Sequence, residues 1–203
     1  VTRTINAYFT QAKSESKHIA VLLISRTTQE RQVLDTLQAL CQVKDEVTIV
    51  SCSDWSDKLV PLKLTYHKHI RFDQLKAEED TTLLHQLQAA DVIVLPNLSL
   101  AMLAKLALSI DDTLAAWLMI QLQLKGKQII IATDNVEGDL NQLLTTPNTV
   151  DQRITGYLQQ LRRDGIKLTT LSRLNQTVRG NLAINQAKKP VLLAKHVEKS
   201  YQH

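Results

Sequence analysis

The sequence predicts an α/β fold: a three-layer, doubly wound parallel sheet with an N-terminal helix and a short C-terminal extension. Three observations carry this. Residues 91–133 read as buried strand, break at Pro96-Asn97, long apolar helical region, Gly turn and second buried strand, which is a β-α-β crossover. His18 to Ile24 (HIAVLLI) is a continuous apolar run, as a central parallel strand covered on both faces requires. Strand-like and helix-like segments then alternate along the chain.

The totals agree. A chain of 203 residues suits one domain with a sizeable core, and 44% hydrophobic against 22% charged residues marks it as globular. None of its five glycines comes before Gly126, so the loops of the first half lack the usual phosphate-cradling residue. The net charge of +4 is uneven: the segment from Arg162 onward carries +7 and the remainder −3. A basic segment can meet an anion, an acidic partner or nucleic acid, or it can be a solvated surface. It lacks any recognisable reading element, so nucleic acid is not an expected partner. Cys41 and Cys52 form no metal motif and suit a reducing compartment. No signal peptide and no uninterrupted membrane-length apolar run is visible, so a cytoplasmic protein is expected. The chain begins without Met, which points to a trimmed N-terminus.

Three segments are expected: an N-terminal amphipathic segment (1–17), an α/β domain (18–170) and a basic C-terminal extension (171–203). In the first, Val1, Ile5, Tyr8 and Phe9 have helical spacing, which suits either a docked helix or a partner-binding segment. After the first strand, Thr27 to Glu30 fits a capping box, and Val33, Leu34, Leu37 and Leu40 form a helix stripe. Glu46 to Val50 is the second strand. Ligands of such sheets bind outside the carboxyl ends of strands. Ser25, Arg26, Thr27, Ser51 and Ser53 lie there, and each is either a phosphate contact or a cap or turn residue.

Pro61 to Phe72 alternates. His67 and His69 share a face with Lys63 and Arg71, whose charge opposes a metal, and no metal site is expected. Ala77 to Ala90 reads as a helix with Leu83, Leu84 and Leu87. Val92 to Leu95 is a strand, and Ser99 can cap the helix that follows. Ser109 to Asp112 resembles a second N-cap and predicts a kink or restart, ended by Gly126 before the strand Gln128 to Ala132. Asp134 to Asp139 reads as an exposed polar turn. Thr149 to Gln152 fits a capping box for a helix with Ile154, Tyr157, Leu158 and Leu161, which Gly165 ends. Ile166 to Leu171 suits a last or edge strand, and a terminal helix follows the run at 191–193.

Four weak motifs in order carry a family resemblance: Asp91-Val-Ile-Val-Leu-Pro96, Leu103-Ala-Lys105-Leu-Ala107, Asp111-Asp112-Thr-Leu114 and Gly126-Lys-Gln-Ile-Ile-Ile131. With them the chain resembles, over Lys17 to Leu168, the FMN-binding flavoproteins that include phosphopantothenoylcysteine decarboxylase. The resemblance implies an FMN site, with Ser25, Thr27, Ser51, Ser53 and Ser99 toward phosphate and ribityl and Asn97 near the ring. It implies a homo-oligomer as well. The departures are the family's Thr-Gly-Ser turn, read here as Ser25-Arg26-Thr27, and its Pro-x-Met-Asn segment, replaced by 133–137. The family's catalytic His corresponds to the region of His85, two residues nearer Asp91 than the family pattern. Two residues on a helix is a rotation of about 200°.

The helix–strand region and the tail from Lys189 also resemble the PduM family of propanediol-utilisation bacterial microcompartments. That resemblance implies a non-catalytic structural or adaptor protein at a microcompartment, with shell or cargo proteins as partners, no catalytic residues and no required cofactor. The other reading is an FMN-binding flavoprotein, redox or decarboxylase-like.

Overall fold

A computed structural model describes residues 16–41, 45–60, 67–71, 80–136 and 148–184. They contain a six-stranded sheet in the order β3-β2-β1-β4-β5-β6. The strands are β1 His18–Leu23, β2 Glu46–Ser51, β3 His67–Arg71, β4 Val92–Leu95, β5 Ile129–Ala132 and β6 Lys167–Thr169. Every pairing is parallel. The chain winds outward from β1 to β3, crosses back to β4 and winds the other way. The reversal between β1 and β4 opens a crevice at their carboxyl ends.

The unbroken apolar run of β1 is explained by two cores. Ala20 and Leu22 join Ile93, Leu95, Ile129 and Ile131 in one. Ile19, Val21 and Leu23 join Val92, Val94 and Ile130 in the other. The first core is covered by α3 Asp80–Gln88, α4 Leu100–Ala107, α5 Leu114–Leu124 and α6 Asn148–Arg163. The second is covered by α1 Glu30–Cys41, α2 Ser53–Leu59 and a C-terminal helix over 174–184, α7.

Several local expectations shift. Thr27 does not cap α1 through a capping box: its Oγ1 accepts from Gln29 N at 3.1 Å, closing a short turn, and the Glu30 carboxylate is taken by Lys58. The apolar run does break after α4, but the cap of α5 is Thr113, not Ser109. Ser109 instead takes a positive φ of 54° as the chain leaves α4. Thr149 lies within α6, so it is not that helix's cap. Gly126 and Gly165 end their helices with positive φ of 68° and 83°, as their glycine identity predicts.

The strand at 166–171 is β6, an edge strand paired with β5. Leu171, Leu174, Val178 and Leu182 beyond it are buried in the second core, so the first part of the C-terminal segment packs on the sheet. Arg179 is paired with Asp45 and donates to Leu40 O, which spends one of the basic charges inside the fold. The N-terminal amphipathic segment up to residue 15, the loop at 137–147 and the tail from 185 lie outside the described residues. No described helix is long and apolar enough to cross a membrane.

Leu37 is fully buried against the sheet, whereas Leu124 is 74% exposed. Leu37→Ala is expected to cost roughly 2–5 kcal/mol in a urea titration, and Leu124→Ala under about 0.5 kcal/mol. Equal losses would contradict the two-core packing.

Candidate functional site

The carboxyl ends of β1 and β4 border a cleft of about 400 Å³. Ile24, Ser25 and Arg26 form one wall, directly after β1. Ser99, Ala101, Met102 and Lys105 of α4 form the second, and Thr113 and Ala115 at the start of α5 close it. Its size lies in the range of small-molecule and cofactor sites.

The main-chain carbonyl of Ser25 anchors the wall. Trp55 Nε1, buried on the β2 side, donates to it at 2.9 Å. Asn97 Nδ2, on the β4 side, donates to the same oxygen. Asn97 Oδ1 is buried and has no partner among the described residues. An unsatisfied buried acceptor is costly, and a ligand hydroxyl or a water relieves it.

Two helix starts open on the cleft, and each cap keeps a hydrogen to donate. Ser99 Oγ accepts from Met102 N at 3.2 Å and from the Ser25 hydroxyl at 3.2 Å. Thr113 Oγ1 accepts from Ala116 N at 3.4 Å. Since both oxygens act as acceptors in these bonds, both O–H groups remain for a ligand. Helix N-termini favour negative charge.

Both cations of the cleft already have carboxylate partners. Arg26 Nε and Nη2 reach Asp54 at 2.7 and 3.1 Å. Lys105 Nζ lies 2.8 Å from Asp112. The hydrogen bonds from Arg26 hold the Asp54 carboxyl below the usual carboxylate range, and Asp54 in turn raises the Arg26 guanidinium. Burial pushes the Cys41 thiol up to about 11 and raises Cys52 as well, so neither is a thiolate nucleophile near neutral pH.

Of the residues expected at the site, Ser25 and Ser99 line the cleft. Asn97 stands behind Ser25. Thr27 is not among the lining residues: its hydroxyl donates to Asn135 Oδ1 at 3.0 Å, and Asn135 Nδ2 donates to Leu98 O at 3.2 Å. That bridge ties the β1, β4 and β5 turns together. Ser51 is fully buried and hydrogen-bonded to His69 at 2.8 Å, which removes it from ligand contact. Ser53 is the first residue of α2. His85 is exposed in the last turn of α3, a helix whose end faces the amino edge of the sheet, and it does not reach the cleft. Asp134 opens a short helical stretch, 134–136, where an exposed turn is expected, and it accepts from Leu171 N at 2.6 Å. Lys105 and Thr113 stand in two of the motifs that carry the family resemblance, but neither is read there as a site residue. Only the reversal of strand order brings them opposite Ser25.

No protein-family model and no curated protein matches the chain. Solved structures do. A mutant PPC decarboxylase has a TM-score of 0.54 at 19% identity, over 81% of this chain and 96% of its own. The FMN-dependent cysteine decarboxylase TvaF from thioviridamide biosynthesis has a TM-score of 0.61 at 14% identity, over 82% and 98%. DmrB from Burkholderia xenovorans, described as a cubic protein cage for redox transfer, has a TM-score of 0.59 at 13% identity, over 85% and 98%. The chain has the fold of the PPC decarboxylase-like flavoproteins. At these identities the likeness concerns that flavoprotein fold, and the cleft's own residues must carry any functional reading.

Proposed function

We propose that this chain is a flavoprotein that binds FMN in the cleft between β1 and β4. The observation that carries the reading is the pair of N-cap hydroxyls, Ser99 and Thr113, each with a hydrogen to donate into the cleft. Structures of the same fold are described as an FMN-binding protein and an FMN complex, which supports the choice of ligand. FMN, when bound, supplies one- and two-electron redox chemistry.

The residues present fit that group by side chain rather than by main chain. Among the described residues of the β1 turn none has a positive φ, so the turn forms no glycine-type nest of N–H groups. Ser99 and Thr113 donate to phosphate or ribityl oxygens instead, and Arg26 and Lys105 offset negative charge. Ile24, Ala101, Met102 and Ala115 give the apolar wall that a planar ring needs. Among the described lining residues there is no His, Cys, Asp or Glu, and Lys105 is the one side chain able to give or take a proton.

The microcompartment adaptor role implied by the PduM resemblance gains no support from the fold, the cleft or the comparisons, and its terminal segments lie outside the described residues. A homo-oligomer is part of the proposed reading. A dodecameric decarboxylase and a cubic cage share the fold. Leu100, Leu108 and Ile110 on α4 and the turn after it are large apolar side chains left exposed.

Purified protein incubated with FMN and desalted is expected to stay yellow, with quenched tryptophan emission. Ser99→Ala and Thr113→Ala should each weaken binding roughly tenfold, the value of a hydrogen bond to a charged group. A colourless protein that leaves FMN fluorescence unchanged would remove the flavoprotein reading. For assembly, light scattering should give a multiple of the chain mass that falls in a Leu108→Asp, Ile110→Asp double variant. A monomeric wild type would exclude the oligomer.

A further inference from the structure

The two cations of the cleft are not held alike. Lys105, on α4, is the more enclosed, with 26% of its side chain exposed, and its partner Asp112 lies on the connection that follows that helix. That pair is a brace within one segment. Arg26 is 85% exposed and reaches from the β1 turn to Asp54, on α2 beyond the next strand. Asp54 is not itself among the lining residues. The guanidinium has five N–H donors, and two of them are committed to Asp54. An exposed ion pair of this kind is weak, so an incoming anion can compete for it.

We propose that Asp54 is an affinity-setting counter-ion that holds Arg26 and yields it to the phosphate of a phosphorylated ligand. The proposal rests on the flavin-binding reading for the identity of the ligand, but its physics needs only an anion. While Asp54 holds Arg26, the cation contributes no net charge to the cleft, and a weakly binding anion meets a neutral wall. A dianionic phosphate placed by Ser99 and Thr113 offers two or more charge-assisted acceptors and outcompetes the single carboxylate. Arg26 therefore distinguishes a phosphorylated ligand from its unphosphorylated parent, and Asp54, by competing for Arg26, sets how tightly the former is held.

The test is a double-variant cycle on the full chain, using Asp54→Asn, Arg26→Ala and both together, titrated with FMN, riboflavin and inorganic pyrophosphate. Asp54 lies at the surface and Asn preserves its shape, and circular dichroism melts confirm folding of each variant. Asp54→Asn is expected to tighten FMN and pyrophosphate about threefold, the scale of an exposed ion pair, and to leave riboflavin unchanged. In the Arg26→Ala background the gain should vanish. An undiminished gain in that background would show a general charge effect and overturn the proposal. So would unchanged or weaker pyrophosphate binding in Asp54→Asn, or no pyrophosphate binding in any variant. If flavins fail to bind while pyrophosphate shows the Arg26-dependent gain, the flavin reading falls and the role of Asp54 stands.

Discussion

The carboxyl end of β1 depends on one oxygen. The Ser25 carbonyl receives Trp55 Nε1 from the β2 side of the sheet and Asn97 Nδ2 from the β4 side. A parallel sheet that reverses its winding direction leaves an open seam at that point, because the helices after β1 and β4 go to opposite faces. Here the seam is closed at its base by two side-chain donors on a single acceptor and stays open above. The result is a cleft whose floor is rigid and whose rim is made of side chains. Thr27 and Asn135 extend the same logic one strand further, tying the β1 turn to the β4 and β5 turns.

That constraint explains how the β1 turn manages without glycine. Nothing in the turn adopts a left-handed conformation, so no glycine is required to make it. The cost is the loss of a main-chain anion nest. The donors that replace it come from helix caps, whose oxygens stabilise α4 and α5 while their hydrogens remain for a ligand. In the proposed reading, structural and binding duties are carried by the same hydroxyls. The charges follow a similar pattern: both cleft cations are paired with carboxylates that do not line it, which offsets their charge.

Much of the fold was legible in the sequence because burial on both faces forces a continuous apolar run. The runs at His18 to Ile24, Val92 to Leu95 and Gln128 to Ala132 are all central strands, and Gly126 and Gly165 mark helix ends through positive φ. Capping was less legible. Thr27 and Thr149 have the right neighbours for capping boxes, yet Glu30 is drawn to Lys58 by a contact between α1 and α2 that no local pattern encodes. The site was legible only in part. Ser25 and Ser99 follow from the strand-end rule, since each lies just beyond a strand. Ser51 obeys the same rule but faces inward to His69 across the sheet. Lys105 and Thr113 belong to the site through tertiary geometry alone.

The central claim is that the β1/β4 cleft, anchored on Ser25, is where the flavin binds. The most direct measurement is the change in backbone amide NMR signals of the labelled protein as FMN is added. The account predicts the largest shifts at Ser25 and Arg26, at Ser99 to Met102 and at Thr113 to Ala116, with little change at the edge strands β3 and β6. Shifts concentrated on the basic surface around Arg162, Arg163 and Lys167, or no saturable shifts at all, would contradict it.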